Sequence, residues 1–261
     1  RGSFIVSGGI FDGVHGDNSK LLMNIANDLI VRDGVLKDVQ NTYTSSAHTI
    51  FNIGGDVILT GGKINVANSE SESSAINLTG TENKLVKWIQ KDKAEVELCN
   101  VNIKSDKEVT LKGDKLGNIA KGKTIIVERN AKLWCSTAII TGDGKFLLMD
   151  FATLGIGHSK GINSSGPDGN VVTGERVFSS GANYVYYTNT TPQLTGVFST
   201  TPKESSIRNL IVKKDAPNQA VVLSSDLFVS EQVKIGMGEL NKGRFALKLA
   251  DVTESNPSSL N

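Results

Sequence analysis

The sequence predicts an all-β chain folded as a right-handed parallel β-helix, with short strands stacked coil upon coil. Three observations carry that prediction. The segment from Asn24 to Leu36 returns as Asn52 to Ile64 at a constant offset of 28, so that Asp28 matches Asp56 and Leu29-Ile30-Val31 matches Val57-Ile58-Leu59. A third copy of the core stands at the start, where Phe4 to Phe11 matches Leu29 to Leu36 at an offset of 25. An apolar triplet, a Gly-containing turn and a second apolar pair at such a period mark a stacked-strand repeat. Finally, no helical period survives for more than a few residues. Leu21 to Leu29 is the one stretch that resembles a helix, and its twin carries Gly54-Gly55, which favours a strand.

The physical reason for stacking is a shortage of apolar surface. No single copy can bury itself, so neighbours must share one continuous core. The 25- and 28-residue spacings suit a coil of about three short strands at roughly 3.3 Å per residue plus corners. A β-sandwich is the alternative, favoured if the Tyr-rich segment forms a separate antiparallel sheet.

In chain order, residues 1–160 read as the first set of coils. The triplets Phe4-Ile5-Val6, Leu29-Ile30-Val31 and Val57-Ile58-Leu59 are followed by Gly9, Gly34 and Gly62 at equivalent places, as corners with positive φ or close backbone approach require. Shorter strands are expected at Ile76–Leu78, Leu85–Ile89, Val96–Leu98, Val101–Ile103, Val109–Leu111, Ile125–Val127 and Lys132–Cys135, then at Ala138–Ile140, Phe146–Met149 and Thr153–Ile156. Turns at Gly80-Thr81-Glu82-Asn83, Gly113-Asp114 and Gly142-Asp143-Gly144 separate them. Residues 161–200 are expected to leave the stack, first as the loop Gly161 to Asn170 and then as a hairpin of aromatic strands from Arg176 to Tyr187. Residues 201–255 resume the coils at Leu210-Ile211-Val212, Val221-Val222-Leu223, Leu227-Phe228-Val229 and Phe245 to Leu249, and residues 256–261 form a tail.

Composition bounds the function. Lys+Arg 28 against Asp+Glu 27 leaves a net charge of +1, which gives no electrostatic case for nucleic acid. No run of ~18 apolar residues suggests membrane insertion, and the start at Arg1-Gly2-Ser3, already close to a strand, reads as a mature or excised piece of something longer. Cys99 and Cys135 each lie in an apolar run and read as two buried thiols, with a bridge between them as the alternative.

The chemical motifs are sparse. Asp28 and Asp56 would bring two carboxylates onto adjacent coils about 5 Å apart, as a glycosidase pair needs, but corner aspartates that cap backbone N–H groups explain them better. Gly142-Asp143-Gly144 and Pro167-Asp168-Gly169-Asn170 lack the carboxylate spacing of a calcium loop and read as turns. His15, His48 and His158 stand singly, without partners at metal spacing, so no metal and no cofactor are expected. No strained nucleophile motif is found, so no catalytic residue is assigned. Binding is the better-supported chemistry. Tyr184, Tyr186 and Tyr187 would put rings on both faces of the expected hairpin. Trp88 and Trp134 would point outward if Ile89 or Leu133 pointed in. Exposed rings among Asn and Thr are what sugar-binding surfaces use, and packing over an end or groove of the helix is the competing explanation.

From Ala152 to Asn170, then at Val177 to Tyr186, Gln193-Leu194-Thr195-Gly196, Ile207 to Val212 and Val221 to Val229, the chain resembles a recurring segment of very large Bacteroidota surface proteins. Upstream, Gly8-Gly9-Ile10-Phe11-Asp12 and Asn52 to Gly62 resemble the same family in the same order, although this chain carries more Lys and Glu. The resemblance implies a β-helical segment of an exported protein, extracellular or on the cell surface, sent out by the type IX route. The resulting expectation is a non-catalytic structural or adhesive module whose partners are glycans, surface proteins or further repeats of the same polypeptide. The alternatives are a carbohydrate-active β-helix enzyme, a lyase or glycosidase, and a subunit docked to an outer-membrane complex.

Overall fold

The computed structural model describes residues 2–14, 19–39, 47–66, 74–80, 86–91, 93–113, 115–199 and 205–250. His15, Leu85, Asp114, the turn residues 81–83 and the tail therefore lie outside the described residues. The fold is all-β, and every strand pair is parallel. It is a stack of coils, as the repeat requires.

One sheet of eleven strands runs the length of the stack, beginning Phe4–Val6, Leu29–Val31, Val57–Leu59, Val86–Gln90 and ending Leu227–Met237, Leu247–Leu249. Ten intervals of ~4.8 Å make this face about 48 Å long. The repeat offsets are the ladder register itself. Leu29, Ile30 and Val31 pair with Val57, Ile58 and Leu59, and Phe4, Ile5 and Val6 pair with Leu29, Ile30 and Val31. The helix-like stretch is the strand Lys20–Ile25, paired with His48–Ile53.

Two further faces complete each early coil. Ile10–Val14, Val35–Val39, Lys63–Asn65, Glu95–Leu98 and Lys115–Ile119 stack as the second face. Lys20–Ile25, His48–Ile53, Ala75–Leu78, Asn100–Ile103 and Thr124–Val127 stack as the third. The ten-residue strand Ile139–Leu148 then spans both faces, pairing at its start with Lys115–Ile119 and at its end with Thr124–Val127. Val171–Phe178 lies along it in the next coil.

Alternation places the core. In Leu29–Val31 and Val57–Leu59 the outer residues of each triplet are buried and the middle one faces out. Inward columns such as Val109, Leu133, Leu154, Tyr184 and Leu210 climb from coil to coil, all fully buried. Glycine is needed where coils touch at corners. A Cβ on Gly34 would lie 2.5 Å from Val6 Cγ1, and Gly62, at φ +69°, would put one 2.3 Å from the Gly34 carbonyl oxygen. Cys99 and Cys135 are buried and are not joined in a disulfide.

Polar side chains bind coil to coil on the outside. Asn52 Nδ2 donates to Asn24 Oδ1, Asn77 to Asn52, and Asn102 to Asn77, each at 2.8 Å, an amide ladder up the third face. Ion pairs such as Lys104–Glu128 and Lys132–Glu108 cross between coils too, though exposed pairs contribute only ~0–1 kcal/mol each.

The aromatic hairpin expected at Arg176 to Tyr187 does not form. Val171–Phe178 continues the second and third faces, while Asn183–Thr188 pairs in parallel with Thr153–Ile156 and Ser205–Lys214 in the long sheet. The two segments are successive faces of one coil: Val171–Phe178 pairs with the coil before it, and Asn183–Thr188 pairs with the coils on both sides. The loop before them is likewise clamped to the stack. Fully buried Asn170 accepts from Gly157 N and His158 N and donates to the carbonyls of Ser136 and Ala138. Arg176 donates to the carbonyls of Thr173, Asn163 and Gly166.

Candidate functional site

The aromatic residues singled out in the sequence divide by the strand alternation. Trp88, Tyr184 and Tyr186 are fully buried and cannot meet a ligand from solution. Their expected outward role is corrected by register: Trp88 stands between Val57 and Leu111 in the core column, so it is Ile89 that turns out. Tyr184 and Tyr186 occupy inward positions of Asn183–Thr188 and spend their hydroxyls internally, donating to the carbonyls of Ser179 at 2.7 Å and Thr195 at 2.8 Å. Burial pushes both phenols well above their ordinary pKa.

Trp134 and Tyr187 face outward and come together. Leu133 points in, so Trp134 projects from the long sheet, with Thr110 beside it in one neighbouring strand and Gly155 in the other. The indole rests on Gly155: a Cβ there would fall 2.2 Å from Trp134 Cε3 and 2.9 Å from Cζ3. Gly155 thus lets the six-membered ring sit against the backbone, the kind of close approach that a glycine inside a strand often marks. At the opposite end of the indole, Nε1 donates to Glu108 Oε1 at 2.8 Å, and Lys132 Nζ holds the other carboxylate oxygen at 3.1 Å. Tyr187 forms a wall. Its ring meets the indole edge-on, with centroids 5.3 Å apart and planes at 83°, and its hydroxyl accepts from Ser136 N at 2.6 Å. Burial and the nearby Cys135 raise the pKa of this phenol as well, so it stays protonated.

The result is a half-exposed aromatic corner, fixed at both ends of the indole, with a carboxylate and an ammonium along one edge. Such a corner can take the C–H face of a sugar ring against the indole while Glu108 and Lys132 meet its hydroxyls. Sequence reading found Trp134 and Tyr187 but missed Glu108, Lys132 and Gly155. The signal for Gly155 was available, since a Gly interrupts the apolar run Leu154 to Ile156.

The other candidates resolve as structure. Asp28 Oδ1 accepts from Asp56 N at 2.8 Å, and Asp56 Oδ1 accepts from Lys87 N at 2.9 Å, so each carboxylate caps the coil that follows. Asp226 does the same for Ala246 N at 2.8 Å. His158 Nδ1 accepts from Lys160 N within its own turn, and burial holds its pKa below the usual value. Among the described residues no three His, Cys, Asp or Glu side chains are grouped to hold a metal ion. No protein-family model, curated protein or solved structure matches the chain.

Proposed function

We propose that this chain is a non-catalytic, rod-like adhesive module of an exported cell-surface protein, and that it binds glycans at the Trp134–Tyr187 corner. The observation that supports the reading is the indole seated on Gly155 and tied to Glu108, an aromatic surface oriented before any ligand arrives. Preorganisation of this kind lowers the entropy cost of binding. The stack supplies the stiffness. Each interior strand of the long sheet has both edges paired, so a ligand contact is carried along about 48 Å of that sheet without a hinge. Surface location and export rest on the resemblance of the repeat segments to Bacteroidota surface proteins, and glycans or surface proteins are the partners that location offers.

The test is a panel of neutral oligosaccharides titrated against the parent chain and Trp134→Ala. The expected result is a saccharide whose binding is lost in the variant while the folded stack persists. Absence of any saccharide binding would remove the adhesive reading. Steady release of shortened products from a polysaccharide, abolished by changing one carboxylate, would establish an enzyme instead.

A further inference from the structure

We infer that the corner around Phe151 is a second binding site, built for a sugar that carries an anionic group, either a carboxylate or a sulfate. Successive coils turn into the long sheet through a left-handed residue, Asp106 at φ 61°, Asn130 at φ 63° and Phe151 at φ 64°. The register of Glu108 with Lys132 and of Lys132 with Thr153 places these three one above another. Asp and Asn tolerate that backbone, whereas a bulky aromatic side chain is an outlier there. Strain of this kind persists only where surrounding contacts hold it, and it is a pointer to function.

The Phe151 backbone is held by the next coil, with Phe151 N donating to the Gly181 carbonyl at 2.8 Å and Asn183 Nδ2 donating to the Phe151 carbonyl at 3.3 Å, and two cations hold its ring. The Arg129 guanidinium lies 3.8 Å from the Phe151 ring centroid and that of Arg208 lies 4.4 Å away. A guanidinium stacked on a ring keeps its in-plane N–H fork oriented for a carboxylate or sulfate. Arg208 Nε is already engaged by Glu231 at 2.6 Å. Arg129 is exposed, and among the described residues it forms no ion pair. It is the fork left for a ligand.

Arg129 borders a cleft of about 440 Å³ whose wall includes Leu147, Met149 and Val177, with Asp150 and Ser179 among its polar residues. That volume falls within the ~300–1,000 Å³ of small-molecule sites. Met149 and Val177 are 40% and 36% exposed, an open apolar surface suited to the C–H face of a pyranose. The Ser179 hydroxyl donates to Asp150 Oδ1, which leaves a polar rim for sugar hydroxyls. An extended acidic peptide is the competing occupant, and the open apolar wall of Met149 and Val177 favours a sugar, whose C–H face can lie on it.

This inference needs only the Phe151 corner, and its test is independent of Trp134. Oligogalacturonate, a chondroitin sulfate oligomer, a dextran oligomer and polyglutamate are titrated against the parent chain, Arg129→Gln, Phe151→Asn and Trp134→Ala. The carboxylate and sulfate arms tell which anion is taken. The expected result is binding of at least one acidic sugar that weakens about tenfold in Arg129→Gln and in Phe151→Asn, weakens with added salt, and persists in Trp134→Ala. Phe151→Asn should melt no lower than the parent, because Asn suits the left-handed corner, so its loss of binding cannot be ascribed to unfolding. Equal binding of dextran, unchanged affinity in both corner variants, or no acidic sugar bound at all would overturn the inference. Preferential capture of polyglutamate would reassign the site to acidic peptides.

Discussion

Replacing Gly155 by Ala tests whether the aromatic corner is assembled as described. Gly155 has an ordinary strand backbone, so Ala introduces no strain of its own, and the whole effect falls on the indole that the new Cβ would meet at 2.2 Å. The ring must lift or swing away. A Trp side chain buries ~150–250 Å² when packed, so one face accounts for about 100 Å², or about 2.5 kcal/mol at ~25 cal/mol per Å² if it is wholly lost. The hydrogen bond from Nε1 to the Glu108 carboxylate adds ~1.5–3 kcal/mol if it breaks. Against this, a strand gains ~0.5–1 kcal/mol when Gly becomes Ala, and the freed ring keeps part of its contact. The expected net loss is about 1–3 kcal/mol, with saccharide binding at the corner abolished. Fluorescence reads the local event directly, because the chain holds two tryptophans and Trp88 is wholly buried. Acrylamide should therefore quench one population in both proteins, and more of it in Gly155→Ala. Identical quenching, stability and saccharide affinity in parent and variant would mean that the indole does not rest on Gly155.

Three further outcomes follow from the interior and the ladders. Buried Lys214 donates to the Thr190 carbonyl and to Gln193 Oε1, each at 2.7 Å, and burial pushes its pKa from 10.5 down to about 8, with Asp215 opposing. The unfolded chain then binds more protons than the folded one between about 8 and 10.5, so stability should rise with pH through that window and stay flat in this contribution below it. Urea midpoints at pH 7.5 and 9.5 should differ in the parent, and the difference should shrink in Lys214→Met. Asn77→Ala removes a donor to Asn52 and an acceptor for Asn102, so about 1–2 kcal/mol of unfolding free energy should disappear in chemical denaturation. Two thiols should react with a disulfide-exchange reagent after unfolding and neither before it, since Cys99 and Cys135 are fully buried and in no disulfide and burial raises the Cys135 pKa steeply.

The backbone plan was legible in the sequence because a ladder makes register visible as repetition. Coils that stack must place like residues over like. Asp28 over Asp56, Asn24 over Asn52 and Leu29 over Val57 are therefore both a sequence offset and a set of spatial neighbours. Where the coil length changes, that link weakens. The long strand Ile139–Leu148 merges two faces, and from there on no constant offset announced that Val171–Phe178 would lie along it or that Asn183–Thr188 would return to the main sheet. A local reading then defaulted to the nearest pairing, a hairpin, where the true partners stood 25 or more residues away.

The same break explains why the aromatic positions were only half readable. Alternation fixes that Tyr184 and Tyr186 share a side and that Tyr187 takes the other, but the side that faces the core is set by the neighbouring coils. With Leu154 and Leu210 flanking Tyr184, and Ile156 and Val212 flanking Tyr186, all buried, these two phenols had to go in and find internal carbonyls for their hydroxyls. Tyr187 was thereby left on the outside, where it reaches Trp134. The outer corner is thus a consequence of inner packing. A core that accepts two tyrosines in one strand hands the third to solvent, and the glycine two coils from Trp134's own acid partner decides that the indole meets it lying against the sheet.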